Sequence, residues 1–160
     1  MSIQKQVDSK TSPSESQSSE GEDWKRILVA IDGSENSVRA GKRAISLAKD
    51  YNAELIVLHV VAVPSSIVDS ENALAKLEAE ASAWIDAVES QARKEGVKVK
   101  REMLRSSSSV VKAITEHSQL ENVDVIVIGT RGLGGFRKLV IGSVSMGVVQ
   151  HAACSVLVIR

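Results

Sequence analysis

Residues 123–151 read VDVIVIGTRGLGGFRKLVIGSVSMGVVQH, an apolar run, a glycine-rich loop and a second partly apolar segment. The run over 123–128 is dominated by β-branched residues, the composition of a strand buried on both faces. Gly129-Thr130-Arg131-Gly132 breaks that run, and Gly142-Ser143 arrives after nine more positions, just ahead of a segment with helical character over 144–151. Strand, Gly-x2-Gly-x9-Gly-Ser, helix is a phosphate-binding arrangement. Small residues let backbone N–H groups close on phosphate oxygens, and the free N–H groups and dipole at the start of the following helix add positive potential.

Working outward, the remaining chain alternates between two periodicities. Residues 26–32 (RILVAID) form a short apolar strand ending in an acid. Ser34 then caps a helix over 35–50, with Val38, Ala44, Ile45 and Ala48 as its core-facing stripe. Residues 53–63 (AELIVLHVVAV) are a second buried strand. Over 71–95, Leu74, Leu77, Ala81, Trp84, Ile85, Val88 and Ala92 mark one face of a long helix that Gly96 closes. Residues 97–104 alternate in the manner of a half-exposed edge strand, Ser108 or Ser109 caps a helix to about 119, and 155–160 (SVLVIR) is a fifth strand.

Five strands separated by four helices predict an α/β fold with a parallel sheet covered on both faces. With right-handed crossovers and the first strand central, the strand order is 3-2-1-4-5. The switch point then lies between strands one and four, where open sheets of this kind bind ligands at the carboxyl ends of their strands. Asp32 ends the first strand and Gly129 the fourth, so topology and glycine motif point to one place.

The 160 residues suffice for one domain. Residues 1–23 are mostly Ser, Gln, Glu, Lys and Asp and are expected to be a disordered tail, leaving 24–160 as the single domain. With neither a secretory-type apolar core nor an apolar run of membrane-spanning length, the expected partners exclude a membrane and the expected location is cytoplasmic. Lys plus Arg and Asp plus Glu balance at 20 each, and the only aromatic residues are Trp24, Tyr51, Trp84 and Phe136. Neither a basic footprint nor a stacking platform for nucleic acid is present. The single cysteine, Cys154, makes no internal disulfide and reads as a small hydrophobe before the last strand.

Four local signatures resemble the universal stress protein family: Val29-Ala30-Ile31-Asp32-Gly33-Ser34, Leu58-His59-Val60, Gly129-Thr130-Arg131-Gly132 with Gly142-Ser143-Val144-Ser145, and Cys154-Ser155-Val156-Leu157-Val158-Ile159. The resemblance implies a Rossmann-like fold that binds an adenine nucleotide, and the complete glycine motif is that of members that bind ATP, with AMP the alternative ligand. It implies a phosphate loop of Gly129, Gly132 and Gly142, phosphate donors at Ser143, Val144 and Ser145, and an adenine contact at Val60. Asp32 would meet the ribose or a phosphate-bound Mg²⁺, or would cap the first helix beside Ser34. Ser143 would cap the last helix or touch phosphate, Ser145 would touch phosphate or stand solvated, and Arg131, Arg137 and Lys138 would balance charge or serve no ligand. His59, His117 and His151 read as structural or solvated. The family also implies a homodimer through the final strand, which would otherwise be a bare apolar edge.

Neither Gly-x4-Gly-Lys-Ser/Thr nor Gly-x-Gly-x-x-Gly after the first strand is present, so no lysine is fixed between phosphates and a nicotinamide dehydrogenase is not indicated. The sequence offers a cradle without an evident base. The leading expectation is therefore a regulatory ATP-binding module of the stress response with an unidentified protein partner. The alternatives are a slow Mg²⁺-dependent ATPase or self-phosphorylating protein, and a structural dimer whose glycines serve packing alone.

Overall fold

Five strands and four helices alternate in a computed structural model that describes residues 23–64, 66, 70–132 and 141–160. The elements are β1 (Arg26–Ala30), α1 (Glu35–Asp50), β2 (Glu54–Ala62), α2 (Glu71–Lys94), β3 (Val99–Ser106), α3 (Val110–Leu120), β4 (Val125–Gly129), α4 (Ser143–His151) and β5 (Ser155–Ile159). All strand pairs are parallel, in the order β3-β2-β1-β4-β5 expected from the sequence. The expected tail, apart from Asp23, lies outside the described residues, as do Phe136, Arg137 and Lys138.

The inner strands feed alternate residues to opposite faces, which is why their apolar runs are continuous. Ile27, Val29, Leu55, Val57, Val125 and Val127 pack under the face carrying Ala44, Ile45 and Ala48 of α1 and Ile85 of α2. Leu28, Ile56, Leu58, Ile126 and Ile128 pack on the opposite face with Ile114 of α3 and Val148 of α4. Full burial of each large aliphatic side chain contributes about 1.5–3 kcal/mol. β3 and β5 are the edges, and both are only half-buried.

Three strands start one or two residues later than their apolar runs suggest, for one common reason. Asn52, Gly96 and Asn122 all have positive φ and follow the last residues of α1, α2 and α3. At each helix end the next residue's N–H returns to a helix carbonyl: Ala53 to Ala48 at 2.8 Å, Val97 to Ala92 at 3.0 Å and Val123 to Ser118 at 2.9 Å. This is the Schellman closure, in which the residue after the left-handed position packs back on the helix. Ala53, Val97 and Val123 are accordingly buried, yet they terminate helices instead of opening strands.

Two helix faces also differ from expectation. Val38 is 48% exposed, and the buried stripe of α1 is Ser37, Ala40, Gly41, Ala44, Ile45 and Ala48, all but Ile45 small residues that let the helix lie close on the sheet. Val38, in the first turn, borders an open groove toward Trp84 and Val88 of α2. Gly147, which the sequence presents only as a weak point in the last helix, has a packing role. A Cβ there would stand 2.7 Å from Val111 Cγ2, so the glycine sets how closely α4 approaches α3. Cys154 is only half-buried, and desolvation raises its thiol pKa above the usual cysteine value, favouring the neutral form.

Candidate functional site

The connections leaving β1 and β4 open a crevice at the carboxyl ends of these two neighbouring strands. On the β1 side, Ser34 caps α1 by accepting from Ser37 N–H at 3.2 Å, while its own N–H donates to Asp32 Oδ1 at 3.0 Å. Asp32 is thereby held at the turn before α1. Ser34 Oγ and Asn36 Nδ2 each donate to the Arg131 carbonyl at 3.3 Å, tying the start of α1 to the loop after β4.

The glycines of that loop have distinct local reasons. A Cβ at Gly129 would stand 2.8 Å from the backbone carbon and Cβ of Asn36, so only glycine lets β4 end against the first turn of α1. A Cβ at Gly132 would stand 2.2 Å from Asp32 Oδ2, so the loop backbone rides directly over that carboxylate. Gly142 N–H donates to the Thr130 carbonyl at 2.6 Å, returning the chain to β4 before the helix begins.

Gly142 is the N-cap of α4, with no side-chain hydrogen bond at that end. Ser143 therefore does not cap the helix; it is the first helical residue, and it is exposed. Ser145 is not a solvated first-turn residue either. It is 3% exposed, and its hydroxyl donates to the Gly129 carbonyl at 2.6 Å, fastening α4 to the end of β4. That hydroxyl proton is committed to the protein, so a ligand would meet the backbone N–H groups of the first turn, which lack intrahelical acceptors.

This first turn borders a cavity of about 200 Å³. Val144 and Ser145 form one wall, Asp32, His59 and Val60 another, and Val110 and Ile114 of α3 close it. His59 Nδ1 lies 2.7 Å from the Ile31 carbonyl, and its ring meets Trp84 edge-on with centroids 5.4 Å apart. Apart from Asp32, the cavity wall beyond the glycine loop is mainly apolar. Gly132 and Arg131 also line a second, polar depression shared with Ser34, Asn36 and Arg39. Thr130 Oγ1 and Arg131 Nε are buried and have no hydrogen-bond partner among the described residues, a condition that polar groups in a protein interior seldom keep without a partner, ligand or water.

The site thus brings together Asp32, Val60, Gly129, Arg131, Gly132, Gly142, Val144 and Ser145, with Ser143 on the open side of the helix start. Sequence reasoning missed Val110 and Ile114, whose apolar spacing in α3 reads as core, and Arg39, whose charge reads as an ordinary solvated helix position. It also took His59 as structural, whereas the ring is both anchored and part of the cavity wall.

A sequence model described as the universal stress protein family matches residues 23–160. The chain belongs to the universal stress protein family. It is 32% identical over 150 residues to universal stress protein YxiE of Bacillus subtilis, covering 86% of this chain and 99% of that one. The universal stress protein UspA structure from Lactobacillus plantarum is similar at TM-score 0.72 and 27% identity, covering 86% of this chain and 98% of that one. A universal stress protein of Archaeoglobus fulgidus, solved in complex with dAMP, shares the fold at TM-score 0.67 and 23% identity, covering 86% and 99% respectively. Among the described residues of this universal stress protein, no helix is long and apolar enough to cross a membrane.

Proposed function

We propose that this universal stress protein binds an adenine nucleotide, ATP in the first instance, and acts as a nucleotide-dependent regulatory module. The observation that carries the reading is the start of α4: an N-terminus with no side-chain cap, bordering a largely apolar cavity that adjoins a polar depression at Gly132. An apolar wall at Val60, Val110 and Ile114 suits a purine ring. Backbone N–H groups at residues 143–145 suit phosphate oxygens, and Arg131 and Arg39 supply positive charge beside them. Asp32 suits ribose hydroxyls, which donate to it, better than bare phosphate, which it repels.

Magnesium fits the same residues on modest terms. Asp32 is the one carboxylate among the described residues that lines the cavity, and Mg²⁺ commonly takes one or two carboxylates together with phosphate oxygens and water. Bound there, the ion would neutralise phosphate charge, and Asp32 would hold it. The dAMP complex of the Archaeoglobus fulgidus relative supports the nucleotide class, and the two neighbouring depressions favour a ligand with both a base and a phosphate tail.

Binding is favoured over turnover by how the polar groups are committed. Ser145 Oγ is engaged with the Gly129 carbonyl and so is not free to act as a nucleophile, and among the described lining residues only Asp32 and the Nε2 of His59, whose Nδ1 is held at the Ile31 carbonyl, could accept a proton. The test is amide hydrogen exchange with and without ATP. Residues 143–145 are expected to slow on ATP addition, because their N–H groups acquire acceptors, whereas Met146 N–H already donates to the Gly142 carbonyl at 2.9 Å; unchanged exchange at 143–145 with protection elsewhere would contradict the reading. Labelled ATP carried through the same incubation is expected to release no phosphate beyond the buffer control.

Regulation also needs a surface. β5 is an edge strand with Val156 and Val158 half-buried, and we place a second copy of the chain along it, since an unpaired apolar edge invites association. Sedimentation at tens of micromolar, roughly where a weak interface still associates, is expected to give twice the chain mass. A mass of one chain would exclude the dimer.

A further inference from the structure

Away from the glycine loop, toward the other end of α3, four side chains from two elements converge. Lys100 and Glu102 stand two apart on β3 and so share a face, while His117 lies in the last turn of α3 and Glu121, four residues on, is its C-cap. Lys100 Nζ lies 2.9 Å from Glu102 Oε1 and 2.7 Å from Glu121 Oε2, one ammonium between two carboxylates. Among the described residues, His117 Nε2 is buried and makes no hydrogen bond, and its ligating atom and those of the two glutamates all lie within 4.8 Å of one another.

We propose that Glu102, His117 and Glu121 form a binding site for a divalent cation of the zinc class, at which the Lys100 ammonium is the occupant that the metal displaces. The ligand chemistry sets the class. An imidazole with two carboxylates suits zinc and its first-row neighbours, whereas calcium and magnesium prefer all-oxygen shells with more ligands. Zinc bonds of about 2.0–2.2 Å place tetrahedral ligands roughly 3.4 Å apart. The cluster therefore has to close by about an ångström, within reach of two glutamates on partly exposed side chains.

The surroundings already favour a cation. The two carboxylates raise the Lys100 pKa, and Lys100 in turn lowers that of Glu121, so both groups are held in their charged forms. A dication would take over both contacts and give the His117 Nε2 lone pair an acceptor for its electrons. Arg26 contributes the opposing charge: its Nη1 donates to the Glu121 carbonyl at 2.6 Å, and its field acts on the Glu121 carboxylate. The metal would join the outer strand to the far end of α3, the helix whose first turns line the cavity through Val110 and Ile114.

The test is calorimetric titration of the chelator-treated full chain with zinc chloride in a non-coordinating buffer. One zinc per chain is expected. His117→Gln and, separately, Glu121→Gln are expected to weaken it by at least about tenfold, the scale reached even by loss of an outer-shell partner. Lys100→Met is expected to tighten it, because a competing cation is gone; this gain separates a metal site from a merely structural cluster. Urea midpoints without zinc confirm that each variant folds. Binding that persists unchanged in His117→Gln, weakens in Lys100→Met, or disappears in Cys154→Ser or His151→Gln would overturn the site.

Discussion

Replacement of Gly132 by valine is expected to weaken ATP binding by about tenfold to a hundredfold, equivalent to the 1–3 kcal/mol that overpacking costs. A Cβ at this position alone would stand 2.2 Å from Asp32 Oδ2, so the side chain and the carboxylate cannot both keep their places. Gly132 is exposed, which lets the loop move away instead of unfolding the sheet. The loss therefore falls on the site. Calorimetry with ATP measures it, and a urea midpoint close to the parent's shows that the fold survives. Parent-like affinity in Gly132→Val would mean that the loop does not hold the phosphates.

Gly33→Ala is expected to remove about 2–5 kcal/mol of folding stability, from two separate sources. Gly33 has φ 79°, a left-handed conformation that costs a residue with a Cβ about 1–2 kcal/mol. That Cβ would also stand 2.3 Å from Trp84 Cε2, and relieving the overlap costs a further 1–3 kcal/mol or so. The two parts are separable. Trp84→Leu in the Gly33→Ala background should return the packing part and leave the backbone part. Urea denaturation of the four chains measures both, and an unchanged midpoint in Gly33→Ala would show that the turn relaxes freely.

The fold was legible because its signals are redundant. Continuous β-branched runs, small residues at turns and helix-period stripes all specify the same alternation, and the glycine loop lies at the switch point that this alternation creates. What the sequence obscured was local commitment of polar groups. Ala53, Val97 and Val123 extend apolar runs yet close helices, because a hydrophobic residue after the left-handed position packs against the helix it ends. Ser143 and Ser145 look equivalent in the motif, but one is exposed and the other spends its hydroxyl on the Gly129 carbonyl. No pattern in the chain distinguishes them.

The cavity wall was hidden for a related reason. Val110 and Ile114 have the spacing of core residues, and only the crossing of α3 over the strand ends brings them to the crevice. Gly147 likewise carries no sequence mark of its contact with Val111. Glycine spacing indicated where a ligand would sit, whereas the walls that would select its base come from residues distant in the chain.

Calorimetric titration of nucleotide-stripped protein with ATP in the presence of Mg²⁺ tests the central claim most directly. The account predicts one site per chain with micromolar or tighter affinity, roughly 8 kcal/mol of binding free energy. No heat, together with no displacement of a fluorescent adenine nucleotide by ATP, would contradict it and leave the glycine loop serving the fold alone.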